Sequence, residues 1–91
     1  MKVVRWNAEK NELLRRERGV TFEEVSVVLA TGAAANMYHH PNQERYPGQR
    51  IAEVFIDDYV YLVPFIETET EIFLKTIIPS RKATKKFRSE Q

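Results

Sequence analysis

Cysteine is absent from the 91 residues. The chain therefore has no disulfide framework, no thiolate nucleophile and no cysteine-ligated zinc, and the absence fits a reducing, cytoplasmic setting. Glycine occurs three times and never in a cluster, which excludes the glycine-rich turn of a dinucleotide-binding unit. No run approaches the ~18 apolar residues of a membrane span. The opening Met-Lys-Val-Val-Arg-Trp does not read as a secretory signal. Against these absences stand 43% apolar and 11% aromatic residues, an ordinary globular composition. We expect one domain over residues 1–91. A chain of this size buries roughly 60–65% of its unfolded surface, enough for one modest core and too little for a roomy cofactor cavity.

Net charge is only +1, but its layout is uneven. Residues 1–18 set Lys2, Arg5, Lys10, Arg15, Arg16 and Arg18 against Glu9, Glu12 and Glu17, a balance of +3. Residues 19–74 set Arg45 and Arg50 against nine acids, a balance of −7. Residues 75–91 set Lys75, Arg81, Lys82, Lys85, Lys86 and Arg88 against Glu90, a balance of +5. If the two ends meet in space they form one cationic face, which would attract a phosphate-bearing partner in a salt-dependent way. The competing reading is that terminal cations serve solubility alone. The acidic middle and its apolar strands also predict a patch that a partner covers.

Val3, Val4 and Trp6 predict a short opening strand. Asn7 then caps a helix from Ala8 to Arg18, with Gly19 as its stop. Thr21-Phe22-Glu23-Glu24 is a capping box, flanked by Val20 and Val25 as a hydrophobic staple, and its helix ends near Gly32. Glu12 and Arg16 stand at ion-pair spacing on the first helix. Ala33 to Tyr38 reads either as a short strand or as a helix extension. His39 to Gln49 reads as a loop, from its two prolines, glycine and polar content. Strands follow at Arg50–Ile56 and Tyr59–Ile66, joined by a tight Asp57-Asp58 turn. Pro64 predicts a bulge or an unpaired edge. A last strand runs from Glu71 to Ile78, Pro79-Ser80 breaks it, and Ser80 caps a basic helix from Arg81 to about Arg88. The expected fold is α+β in two layers, with two N-terminal helices packed on an antiparallel sheet and a short C-terminal basic helix.

Three segments carry a resemblance. Trp6-Asn7-Ala8-Glu9-Lys10-Asn11 is similar to a W-D-x-x-K-N opening. Arg18-Gly19-Val20-Thr21-Phe22-Glu23-Glu24-Val25 is similar to a [KR]-[HR]-G-[VI]-[ST]-F-E-E-[AV] junction. Ile77-Ile78-Pro79-Ser80-Arg81-Lys82-Ala83-Thr84 is similar to an R-x-I-S-A-R-x-A-[ST] signature. Together they resemble the BrnT family, ribonuclease toxins of bacterial type II toxin–antitoxin systems with a RelE-like fold. The chain departs from the pattern at Asn7, at Pro47-Gly48 after Glu44-Arg45-Tyr46, at Phe87, and at the terminal signature. There Lys75 is the nearest cation to the missing arginine and Pro79 intrudes. The resemblance implies a metal-independent, cofactor-free endoribonuclease that cleaves mRNA, free or on the ribosome, and so inhibits translation. It also implies a cognate antitoxin, in a homodimer or toxin–antitoxin hetero-oligomer, and no membrane partner. A non-catalytic nucleic-acid- or protein-binding module of the same fold is the alternative.

Cleavage by 2′-hydroxyl attack needs a proton acceptor, a proton donor for the departing 5′ oxygen, and cations for the phosphorane. Lys75, Arg81, Lys82 and Lys85 are candidates for the charge. Arg81 is the first choice for a transition-state clamp, because its fork suits phosphate oxygens; an ordinary helix salt bridge is its other role. His39 and His40 suit proton transfer near neutrality, or else form a solvated loop pair. Tyr46 and Glu44 are further candidates from the same loop. Lys82, Lys85, Lys86, Arg88 and Arg45 are candidate RNA contacts. Tyr59, Tyr61 and Phe65 alternate on one strand face, where core packing outweighs base stacking. No metal-ligand spacing is present.

Overall fold

The helices begin where short polar side chains take over the first free amides. In the computed structural model, which describes residues 2–32 and 36–90, the Asn7 side chain accepts the Lys10 amide at 2.8 Å and opens α1 (Ala8–Arg18). Gly19 ends it in the left-handed region at φ 67°, a conformation that costs glycine little. Thr21 and Glu24 close the capping box of α2 (Phe22–Ala30): Thr21 Oγ1 accepts the Glu24 amide, and Glu24 Oε1 accepts the Thr21 amide. Val20 and Val25, the expected staple pair, are both buried. Asn11 ties the two helices together. Its Oδ1 accepts the Phe22 amide at 2.7 Å and its Nδ2 donates to Glu23.

The sheet has β1 (Val3–Trp6), β2 (Asn36–His39), β3 (Arg50–Ile56), β4 (Tyr59–Glu67), β5 (Glu71–Leu74) and β6 (Ile78–Pro79), followed by α3 (Arg81–Ser89). Its order is β1-β5-β4-β3-β2, with β6 also on β4. Residues 33–35 of the ambiguous stretch lie outside the described residues, and Asn36–His39 is strand. Asp57 and Asp58 turn β3 into β4 at φ 50° and 63°. Aspartate tolerates this region, and a two-residue hairpin demands it.

Three expectations are corrected. The sheet is mixed rather than antiparallel, because β1 runs parallel to β5, with Val3 opposite Glu71 and Trp6 opposite Leu74. The last strand is split. β5 ends at Leu74, residues 75–77 leave the ladder, and β6 rejoins β4 at Leu62 and Tyr61, so Pro79 lies within a strand. Glu12 pairs with Arg15 and not with Arg16. Pro64 keeps its register with Ile51 along β3, and the expected bulge falls on its other flank, where residues 75–77 stand against only Val63 and Pro64 between the β5 and β6 pairings. Its carbonyl accepts the Lys75 amide at 2.8 Å on the other side of the strand. There the partner changes from β5 at Phe65 to β6 at Leu62. Proline thus occupies the interval where no ladder donor is required.

Strand alternation divides the sheet into two faces. One carries Ala52, Val54, Ile56, Val63, Phe65 and Leu74, and packs with Leu14, Phe22 and Val25 of α1 and α2 into the core. Trp6 stacks on Phe22 with centroids 5.9 Å apart, closing this layer over β1. Phe65 and Tyr61 belong to it, so core packing accounts for them. The opposite face carries Ile51, Glu53, Phe55, Val60 and Leu62, and α3 lies across part of it. The two N-terminal helices on a sheet fit the expected two-layer α+β class.

Candidate nucleic-acid interface

Only three of the nine residues of α3 face the sheet well enough to be covered: Ala83, Thr84 and Phe87. Thr84 is buried, and its Oγ1 accepts the Val60 amide at 2.8 Å while donating to the Ser80 carbonyl at 2.7 Å. Phe87 stacks on Phe55 with centroids 4.6 Å apart. Ser80 caps the helix through the Ala83 amide. Arg88 donates to the Asp58 carbonyl at 2.8 Å and fixes the last turn to the hairpin. With the inner stripe so occupied, Arg81, Lys82, Lys85 and Lys86 are turned outward and exposed. The first turn has no acid. Arg81 and Lys82 therefore crowd the end of the helix whose free amides already favour anions, the reverse of the charge order that stabilises a helix.

Beside this helix the sheet opens into a cleft of about 250 Å³ lined by Tyr38, Glu53, Leu62, Ser80, Lys82, Ala83 and Lys86. A second hollow of about 200 Å³ continues from Glu53 and Lys86 to Asn36, Phe87 and Glu90. The register explains the convergence. Asn36 faces Glu53 and Tyr38 faces Ile51 on β2 and β3, while Glu53 faces Leu62 on β3 and β4. All therefore project from the face that α3 covers in part. The Tyr38 hydroxyl donates to Glu53 Oε2 at 3.2 Å. Burial, then the Glu53 charge and this hydrogen bond, push the Tyr38 phenol above its ordinary range, so it stays a neutral donor. Sequence reasoning missed this pair. Its one signal was an acid set among the apolar residues Ile51, Ala52 and Val54.

The anticipated residues fall into separate groups. Lys82 and Lys86 join Tyr38 and Glu53, and Arg81 and Lys85 stand on the same helix. Lys75 is exposed with its Nζ 5.5 Å from the Phe73 ring centroid. Phe73 pairs with Ile66, which alternation sets on the face that α3 partly covers. His39 ends β2, exposed and opposite Arg50. His40 and Tyr46 meet in the loop, with ring centroids 4.5 Å apart, and Arg45 lies 5.5 Å over Tyr46. His40 Nδ1 accepts the Asn42 amide at 3.0 Å, which leaves Nε2 to carry the proton of the neutral ring. This loop joins β2 and β3 at the end of the hairpin away from the Asp57-Asp58 turn, where α3 finishes. Glu44 is exposed in it.

The basic ends do not merge into one face. α1 belongs to the core layer and α3 to the opposite side of the sheet. Several N-terminal cations are paired: Lys2 with Glu67 at 2.5 Å, Arg5 with Glu71 at 3.8 Å, and Arg15 with Glu12. Among the described residues, Arg81, Lys82, Lys85 and Lys86 make no salt bridge. No group of three histidine, aspartate or glutamate side chains suited to a metal converges among those residues. No helix of the described residues is long and apolar enough to cross a membrane.

No protein-family model, no curated protein and no solved structure matches the chain.

Proposed function

We propose that this chain is an endoribonuclease toxin of a type II toxin–antitoxin system, with a RelE-like fold, and a divergent relative of the BrnT family. It cleaves RNA by 2′-hydroxyl attack without a metal or cofactor, inhibits translation in the cytoplasm, and is neutralised by a cognate antitoxin. One observation carries the reading: Lys82 and Lys86 of α3, in no ion pair among the described residues, border a cleft that holds a carboxylate and a phenol, and Arg81 and Lys85 stand exposed and equally unpaired on the same helix. Single-stranded RNA laid along α3 meets Lys82, Lys85 and Lys86 as counter-charges. Arg81 serves as the fork that stabilises the phosphorane. The three motif resemblances at Trp6–Asn11, Arg18–Val25 and Ile77–Thr84 supply the toxin class.

The test is incubation of the full chain with mixed RNA in EDTA, beside Arg81→Ala. Cleavage that survives EDTA and disappears in the variant, with RNA affinity kept within a few-fold, supports the reading. A folded wild type that binds RNA without cutting it, alone and on translating ribosomes, favours a non-catalytic binding module. The location of His39, His40 and Tyr46 at the far end of the hairpin is what keeps that second reading in play.

A further inference from the structure

We propose that Glu53 is the base that takes the proton of the RNA 2′-hydroxyl, and that Tyr38 is a positioning residue for its carboxylate. This rests on the ribonuclease reading above. An acid in the middle of β3 has no role in the sheet. It stands on the face of Ile51 and Phe55, opposite Leu62, where a half-buried carboxylate is costly unless something binds it. Tyr38 holds one oxygen, Oε2, at 3.2 Å. The other, Oε1, takes no hydrogen bond from the described residues, and Glu53 lines the cleft shared with Lys82 and Lys86. The charged and titratable groups around it are Tyr38 from β2 and Lys82, Lys86 and Glu90 from α3.

A phosphate seated on the two ammonium groups brings its own ribose into the same cleft. Glu53 Oε1 accepts the 2′-hydroxyl proton as the 2′ oxygen bonds to phosphorus. The bond from phosphorus to the 5′ oxygen then breaks, and that oxygen keeps the electron pair and takes a proton from the Lys82 ammonium. The products are a 2′,3′-cyclic phosphate and a 5′-hydroxyl. Glu53 returns its proton to solvent and Lys82 regains one, so no co-reactant is consumed. His40, with Nδ1 committed to the Asn42 amide, is left to the loop.

The experiment compares the full-length wild type with Glu53→Gln, Tyr38→Phe and His40→Ala on a labelled single-stranded oligoribonucleotide. Cleavage rate is measured against pH, and affinity is measured by anisotropy on a 2′-deoxy analogue. Glu53→Gln is expected to lose cleavage on the order of 10²–10⁴-fold while holding the analogue at least as tightly. Tyr38→Phe is expected to lower kcat with KM unchanged. Cleavage by Glu53→Gln at the wild-type rate, or loss of cleavage in His40→Ala alone, overturns the assignment. Should Glu53→Gln not fold by circular dichroism, an unchanged kcat in Tyr38→Phe overturns it instead. A wild type that cleaves no RNA removes the ribonuclease reading and this assignment together. A wild type that cleaves alongside an equally active Glu53→Gln removes only the assignment.

Discussion

Thr84 and Val60 share one buried hydrogen bond, in which a side-chain oxygen of α3 accepts a main-chain amide of β4 at 2.8 Å. The Val60 amide has no strand partner there, because β6 begins one pair beyond, at Tyr61 and Pro79. Replacement by the isosteric valine would leave that amide buried and unpaired, at a cost of about 1–3 kcal/mol. For a domain of this size each kcal/mol lowers Tm by roughly 4–8 °C. Thr84→Val should therefore melt at least a few degrees below wild type by circular dichroism, and an unchanged Tm would contradict this anchoring.

The hairpin turn offers a paired test. Asp58 is held at φ 63°, a region that penalises a β-branched residue by about 1–2 kcal/mol and glycine hardly at all. In urea titrations Asp58→Val should be less stable than Asp58→Gly by more than about 1 kcal/mol. Arg88 binds only the Asp58 carbonyl, so both variants keep that contact.

RNA affinity should fall steeply with salt, each phosphate contact on a single strand adding about 0.7 to the slope of log K against log salt. Lys82→Ala with Lys86→Ala should flatten that slope by roughly 1.4 on the same arithmetic. Arg15→Ala, whose charge is already paired with Glu12 on the other side of the sheet, should leave it alone. Equal effects from both sets, measured by anisotropy from low to physiological salt, would argue against α3 as the RNA surface.

Glu67 links acid stability to the sheet. Its carboxyl is lowered from the ordinary range by a hydrogen bond from Lys2, with the Lys2 and Arg50 charges adding to it. Because the folded value lies below the unfolded one, the stabilisation is present above the ordinary glutamate range near pH ~4.3. It is lost as pH falls through the lowered folded value. Lys2→Met should shrink the difference in stability between pH 6 and pH 3, measured by urea denaturation at each pH. A difference equal to that of wild type would mean the Lys2 contact carries no weight.

What could be read directly from the chain was local. Asn7, Thr21 with Glu24, and Ser80 bond to amides three residues away, so their pattern is complete within one turn of sequence. Asp57-Asp58 and the Gly19 stop are of the same kind. The pairing of Val3 with Glu71 is not local, and nothing in a four-residue strand names its neighbour. The split between Leu74 and Ile78 escaped notice because residues 71–78 look uniformly strand-like. The split depends on one extra residue in 75–77 between the two pairings, with the Lys75 amide on the Pro64 carbonyl. Tyr38 and Glu53 meet only after the hairpin register is set across a loop whose length the alternation pattern cannot fix. His39 and His40 drew attention for their chemistry alone. The cations of α3 were legible as a charge run, yet their outward arrangement followed from Thr84 and Phe87 taking the inner stripe.

The parallel seam of β1 with β5 also governs the order of assembly. A ribosome releases Val3 through Trp6 well before their hydrogen-bonding partner, Glu71 to Leu74, which lies 68 residues further along the chain. Until then the nascent chain can form α1, α2 and the β3–β4 hairpin, while its opening segment waits without a ladder. Such distant closure slows folding relative to a chain of neighbouring hairpins. A truncation just before Glu71 would remove β5 and β6 and leave β1 with no strand to pair with.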